Sequence, residues 1–290
     1  YILTGSQQFD LHAAVSQSLA GRTAMLKLLP LSLAELPEAK VGQTREHLLF
    51  HGFMPRVHDK GIRPDRYYRD YYQTYIERDV RRLLAIENQA AFELLMRLLA
   101  GSVGQELNYS RLSTQVGISQ PQIKRWVGVL EASFILFRLQ PFFRNYGKRL
   151  IKSPKVYFVE PGLAVYLLGI EDPKQLERDP AFGGLFENMV ITEALKSRYN
   201  AGKEGGLYFF RDHHQNEVDL LYPDGRWHIP IEIKASRTYR SDYLKGIEYF
   251  RKLADLTEPG MLIYDGDLEM TSEAAHTRNF RTAFSVLESR

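Results

Sequence analysis

Residues 217–234 read EVDLLYPDGRWHIPIEIK and contain two largely apolar segments on either side of a polar turn. Its first part, 217–222, is predicted as a strand, and Asp219 lies in it between the apolar residues Val218 and Leu220. The dipeptide that begins at Asp224 is Asp-Gly, a strong signal for a tight turn between two strands. A second apolar strand is predicted over 228–234. The stretch therefore predicts a β-hairpin with a carboxylate in its first strand.

The second strand ends Ile-Glu-Ile-Lys, which adds an acid and a base. Because side chains alternate between the two faces of a strand, Glu232 and Lys234 are expected on the same face. Upstream, residues 207–211 are predicted as a further strand, and 183–199 as a helix with Glu187 near its start. These elements predict that acids distant in sequence meet beside one lysine.

This combination of residue types suits the hydrolysis of a phosphodiester. That reaction needs a hard cation to neutralise charge on the phosphoryl oxygens and to activate water, and Mg²⁺ prefers carboxylate oxygens. We predict Mg²⁺ as cofactor, with Asp219, Glu232 and Glu187 as its ligands. Lys234 would orient the attacking water or stabilise the developing charge, so the predicted catalytic set is Glu187, Asp219, Glu232 and Lys234.

The order of helical Glu, strand Asp and E-x-K strand resembles the PD-(D/E)XK nucleases. The resemblance implies a restriction-endonuclease-like α/β domain over 161–290 and the activity of a metal-dependent nuclease. The alternative is a non-catalytic DNA-binding or interaction module, in which Asp219, Glu232 and Lys234 remain as an ion cluster that stabilises the fold.

A helix-turn-helix pattern precedes this region. Residues 109–116 predict a short helix, and 119–132 predict a longer one after a Gly-Ile turn. Strands are predicted over 135–139 and 156–159, on either side of a basic loop, 144–155. This order of elements is typical of a winged helix, which serves in DNA binding or in docking to another protein or domain.

Positive charge is concentrated in the same region. From Glu106 to Lys155 there are nine Lys or Arg and two Glu, a net charge of +7, so the remainder carries −4 of the total +3. Such a block is the electrostatic signature expected for binding to phosphate backbones. We predict DNA as a partner, contacted by Gln120, Gln122, Lys124, Arg125, Lys148, Arg149 and Lys152.

Short runs along essentially all 290 residues also resemble one family, the prokaryotic AAA-type ATPases whose C-terminal half is a domain of unknown function. The runs are ILTGSQ (2–7), LAGR (19–22), LPLS (29–32), YIERDV (75–80), KR (148–149), KSPK (152–155), LFEN (185–188) and EVD (217–219).

The resemblance implies a multi-domain α plus α/β chain made of an ATPase-core remnant (1–40), a helical lid (41–104), a winged helix (105–160) and the nuclease-like domain (161–290). It implies nucleotide sensing by Thr4, Ser6, Gln7 and Arg22. The P-loop and Walker B segments would precede Tyr1, so ATP binding, ATPase activity and homo-oligomerisation through the core are expected of a longer protein. A further alternative makes the ATPase the sole activity and this region its regulatory tail.

The amino-acid composition indicates the cellular compartment in which the protein is expected. The chain has no cysteine, which excludes disulfides and thiolate metal sites and favours a cytoplasmic protein. It lacks an apolar run of the roughly 20 residues needed to cross a membrane, and its first residues do not have the pattern of a signal peptide. We therefore predict no membrane partner.

Overall fold

The computed structural model describes residues 26–80, 88–142 and 153–288. Its first regular element is a 3₁₀ turn, Leu33–Glu35, which begins at a capping box formed by Ser32 and Glu35. The Glu35 carboxylate accepts hydrogen bonds from the backbone N–H and the hydroxyl of Ser32 at 2.8 and 2.9 Å.

Short helices follow: Glu38–Val41 (α1), Arg45–His51 (α2), Pro55–Asp59 (α3) and Pro64–Tyr71 (α4). The helical spacing of apolar residues in the sequence predicts one helix over 65–86, and the described part of this range is helical, with a change from α-helix to π-helix at Tyr72. The chain continues from α4 as a π-helix, Tyr72–Val80, and residues 81–87 lie outside the described part.

The spacing of apolar residues explains the wider helix. The buried side chains Tyr68, Tyr72, Ile76 and Val80 recur at every fourth position. An α-helix has 3.6 residues per turn, so a strict four-residue repeat would drift around its surface. Widening the helix keeps the repeat on the buried face. Tyr68 and Tyr72 are thus core residues, and the other three tyrosines of this segment are half-buried against the core, as helical amphipathicity predicts.

Helices are present at the two predicted positions, Tyr109–Val116 (α6) and Gln120–Ala132 (α7), and they are preceded by Gln89–Ala100 (α5). The helices α5, α6 and α7 each begin at a side-chain cap, from Asn88, Asn108 and Ser119 respectively. Two strands follow, Leu136–Pro141 (β1) and Lys155–Phe158 (β2), and they pair antiparallel.

The remaining helices are Pro161–Leu167 (α8), Pro173–Leu176 (α9), Phe182–Asn200 (α10), Lys245–Ala254 (α11) and Ala283–Glu288 (α12). The strands are Tyr208–Arg211 (β3), Glu217–Asp224 (β4), Trp227–Lys234 (β5), Gly260–Tyr264 (β6), Met270–Thr271 (β7) and Ala275–Asn279 (β8). The long helix and the three strands predicted around the quoted stretch are therefore confirmed.

The described strands form one mixed eight-stranded sheet in the order β2-β1-β3-β4-β5-β6-β8-β7. Strand β1 joins β3 in parallel through the pairs Gln140↔Tyr208 and Pro141↔Phe209. The chain is thus a mixed α/β protein in which an N-terminal helical region leads into a single sheet. The sheet contains strands from both sides of residue 160, where the sequence predicts a domain boundary. The division into domains stays a prediction.

Helices cover both faces of the sheet. On one face α10 lies in the main core, where Phe186 and Met189 pack with sheet residues such as Ile231 and Ile233. On the other face Phe250 of α11 packs in a smaller cluster with Val218 and Leu221. None of the helices in the described part of the chain combines the length and apolarity that crossing a bilayer requires.

Candidate active site

Asp219 lies where the pairing of β3 and β4 is irregular. Phe210 pairs with Val218, but Tyr208, two residues away, pairs with Leu221, three residues away, so β4 contains an extra residue at this point. A bulge of this kind redirects side chains. Asp219 is 7% exposed, and its Oδ2 accepts a hydrogen bond from the backbone N–H of Ile233 at 2.8 Å. The bulge and the neighbouring strand together fix the carboxylate.

Glu232 and Lys234 share one face of β5, as strand alternation predicts. The Lys234 ammonium lies 2.5 Å from Glu232 Oε1 and 3.5 Å from Asp219 Oδ2. Three of the four predicted catalytic residues are therefore in direct contact. The Lys234 side chain is 31% exposed, so this part of the site reaches solvent.

Glu187 comes to the site from α10, which is held against the sheet by its neighbours. The Asn188 amide donates to the carbonyl of Phe158 and accepts from its N–H, both at 2.8 Å. Near the start of the helix, a Cβ on Gly184 would lie 2.5 Å from the carbonyl oxygen of Val103, so this close approach requires glycine. These contacts place Glu187 beside β2.

Glu187 meets a lysine there that the sequence analysis assigned to the basic block. Lys155 is 3% exposed, and its ammonium lies 3.0 Å from Glu187 Oε1 and 2.6 Å from Glu217 Oε1. The Tyr157 hydroxyl donates to the same Glu187 oxygen at 2.5 Å. Counting Lys155 as a surface cation is thus wrong, because it is buried among carboxylates.

Lys155, Tyr157 and Glu217 are among the site residues that sequence reasoning missed. The available signal was the run KVYFV at 155–159, in which a lysine opens a wholly apolar strand. Lysine is almost never fully buried unless it is paired, so such a position predicts a buried partner. Charge counting hides this signal, because it treats every cation as solvated.

Arginine extends the chain of alternating charges. The Nη1 atom of Arg211 lies 2.7 Å from Glu106 Oε1, and the Nε atom of Arg211 lies 3.3 Å from Glu217 Oε2. The cluster thus contains five carboxylates and three cations, which leaves two formal negative charges. Its members are Glu106, Glu187, Glu217, Asp219 and Glu232, with Lys155, Arg211 and Lys234.

Burial and charge repulsion shift the protonation of these groups. Burial, and next the charge of Asp219, raise the pKa of Glu232 from 4.5 to about 8. Burial also raises the pKa of Glu187, although Lys155 opposes the shift. Burial alone would lower the pKa values of Lys155 and Lys234, but the surrounding carboxylates raise both above their ordinary value. Both lysines therefore stay charged at neutral pH.

The oxygen atoms of the cluster meet the requirements of Mg²⁺ in part. Asp219 and Glu232 offer hard oxygen ligands, and the buried Oε2 of Glu232 has no hydrogen-bond partner. Glu187 fits less well, because Lys155 and Tyr157 both contact its Oε1. Within residues 26–80, 88–142 and 153–288, no three His, Cys, Asp or Glu side chains are grouped as a metal site. The first two carboxylates fit one divalent ion, and its binding stays a prediction.

A cavity of about 690 Å³ opens beside the cluster. It is lined by Lys155, Glu187 and Glu217 of the cluster and by Tyr109 and Arg111 at the start of α6. The ion pairs and the first turn of α6 therefore border the same cavity.

The predicted DNA-contacting residues fall into two groups. Gln120, Gln122, Lys124 and Arg125 are all exposed on α7. Lys148, Arg149 and Lys152 lie outside the described residues, as do the predicted nucleotide-sensing residues Thr4, Ser6, Gln7 and Arg22.

The chain is similar to two families, both without an assigned function. Residues 42–174 match a family described as a domain of unknown function (DUF8612), and residues 182–280 match another described in the same words (DUF4143). The site draws on both matched segments, because Lys155 lies in the first and Glu187 in the second.

Three relatives of the chain are uncharacterized bacterial proteins. Over 239 residues the chain is 29% identical to an uncharacterized protein of Mycobacterium tuberculosis and to one of Mycobacterium bovis, covering 82% of this chain and 53% of each relative. An uncharacterized protein of Haemophilus influenzae is 22% identical over 214 residues, covering 69% of this chain and 52% of the relative. The chain thus spans about half the length of the curated relatives it matches. No solved structure matches it.

Proposed function

We propose that the region from α10 to β6 is a metal-dependent phosphodiester hydrolase of the PD-(D/E)XK type. The observation that carries this proposal is the direct contact of the Lys234 ammonium with both Asp219 and Glu232. The order of elements also supports it: a helix with Glu187, a β-meander with the aspartate and the E-x-K strand, a second helix, and a parallel strand.

In this proposal Asp219 and Glu232 would hold Mg²⁺, which supplies charge neutralisation at the phosphoryl oxygens and an activated water when bound. Lys234 would leave its position between the two carboxylates, and its ammonium would orient the water or stabilise charge on the phosphate. Glu187 completes the acidic wall, where Lys155 and Tyr157 hold it.

We further propose that the segment α6–β2 is a winged helix that holds DNA near this site. The exposed side chains of Gln120, Gln122, Lys124 and Arg125 lie along the second helix, where base edges and phosphates are reached in such modules. Arg138, by contrast, is paired with Glu131 in the structure and is not available for phosphate.

The proposal for a longer protein is a cytoplasmic AAA-type ATPase, oligomeric through its core, whose ATP-dependent part governs access to this region. It rests on the resemblance in sequence and on the coverage of about half of each relative.

One observation favours a second candidate, a DNA-binding or regulatory module without catalysis. Lys155 and Lys234 already neutralise part of the acidic cluster, as they would in an ion cluster that only stabilises the fold.

A DNA-cleavage assay of the wild type and the Asp219→Asn variant in Mg²⁺ or Mn²⁺ distinguishes the hydrolase from the non-catalytic module. The matched control is Asp224→Asn, which changes an exposed aspartate at the end of the same strand. The hydrolase proposal predicts that Asp219→Asn abolishes cleavage without lowering Tm, whereas Asp224→Asn cleaves like the wild type. DNA retention by a wild-type protein that cleaves in neither metal would refute the hydrolase and support the second candidate.

A further inference from the structure

We propose that Lys155 occupies, with its own ammonium, the place of a second cation, so that the candidate site binds a single divalent ion through Asp219 and Glu232. The inference rests on the proposed function and specifies how many ions it uses. It also assigns Lys155 as a positioning residue, supplied by the first matched segment to carboxylates of the second.

The surroundings of Lys155 are those of a built cation position. Its ammonium lies 2.6 Å from Glu217 and 3.0 Å from Glu187, and 5.5 Å from the ring centroid of Phe209. Its side chain is 4% exposed. Two ion pairs and the low exposure of the side chain therefore hold the ammonium between Glu187 and Glu217.

The same contacts occupy one carboxylate oxygen of Glu187. Lys155 and Tyr157 both donate to its Oε1, so an ion there would displace two donors. It would also lie next to a fixed positive charge and be repelled by it.

The half of the cluster around Lys234 differs in two ways: its lysine is partly exposed, and one carboxylate oxygen has no hydrogen-bond partner. The Lys234 side chain is 31% exposed, so its ammonium can move into solvent when a cation arrives. Glu232 also has a buried oxygen, Oε2, without a hydrogen-bond partner. One half of the cluster is therefore open to a cation, whereas the other already contains one.

Titration of the 290-residue chain with Mn²⁺ tests the inference, with free Mn²⁺ measured by electron paramagnetic resonance. The wild type is expected to bind one ion per chain. Lys155→Met is expected to bind two, because Glu187 and Glu217 lose the ammonium between them, and Lys155→Arg is expected to bind one. The matched control is Lys196→Met, which removes an equally buried lysine paired with Glu193 and should leave one ion.

Glu187→Gln provides a measurement that does not depend on the folding of Lys155→Met. If Lys155 keeps metal from Glu187, this variant binds one Mn²⁺ with a Kd within about twofold of the wild type. Two ions on the wild type, one ion on folded Lys155→Met, or a tenfold weaker Kd for Glu187→Gln would overturn the inference and leave the proposed function standing. Absence of Mn²⁺ binding by the wild type, or binding unchanged in Asp219→Asn, would overturn the proposed function itself.

Discussion

Replacing Glu232 with glutamine should stabilise the protein at neutral pH in the absence of metal. Folding raises the pKa of Glu232 from 4.5 to about 8, chiefly by burial and by the charge of Asp219. The folded state therefore holds a proton that the unfolded state releases between those pH values. Stability contributed by the protonated carboxyl is complete below pH 4.5 and is lost as the pH rises toward 8.

The size of the effect follows from the shift. Each pKa unit corresponds to about 1.4 kcal/mol, so about 2.5 units between pH 4.5 and pH 7 cost about 3 kcal/mol, and the cost reaches roughly 5 kcal/mol above pH 8. Glutamine resembles the protonated carboxyl and avoids this cost. Glu232→Gln should thus exceed the wild type by about 3 kcal/mol at pH 7 and match it near pH 4.5.

Urea unfolding followed by circular dichroism, from pH 4.5 to pH 9, measures this difference. Glu273→Gln is the control, because Glu273 is exposed. Saturating Mg²⁺ should stabilise the wild type and not Glu232→Gln, since the ion replaces the proton as the partner of the carboxylate. The reasoning is refuted if Glu232→Gln destabilises the protein at pH 7, or if its advantage does not change with pH.

Three further predictions concern the proposed DNA contacts and the supports of the site. Lys124→Ala with Arg125→Ala should weaken duplex binding and reduce the slope of log K against log salt by about 1.8, measured by fluorescence anisotropy; an unchanged slope would remove α7 from the interface. Asn188→Ala should cost roughly 2 to 5 kcal/mol in urea unfolding, because it leaves both backbone groups of Phe158 without partners; a loss below 1 kcal/mol would contradict that role. Gly184→Ala should lower stability by about 1 to 3 kcal/mol, since its Cβ would lie 2.5 Å from the Val103 carbonyl; an unchanged Tm would contradict the close approach.

The sequence predicts most of the local structure around the site. Strand alternation is enough to bring Glu232 and Lys234 to one face, because the side-chain period depends on the backbone alone. Asp219 lies between apolar residues of a strand, and a buried polar side chain is expected to have a hydrogen-bonding partner. These inferences need only residues close together in the chain.

The features of the site that the sequence does not predict depend on contacts between segments far apart in the chain. The buried position of Lys155 follows from the approach of α10 to β2, which pairs residues about 30 positions apart. The bulge at Asp219 appears only when β3 and β4 are aligned. The parallel pairing of β1 with β3 has no local signal either, because parallel neighbours are joined by long connections.

The pairing of β1 with β3 has a practical consequence for dissecting the protein. A fragment cut at the limits of the second family match, 182–280, would omit β1 and uncover the outer backbone edge of β3. Unpaired strand edges recruit other strands, so such a fragment is expected to aggregate. Expression boundaries for crystallisation or biophysics should therefore retain β1 and β2 together with the downstream strands.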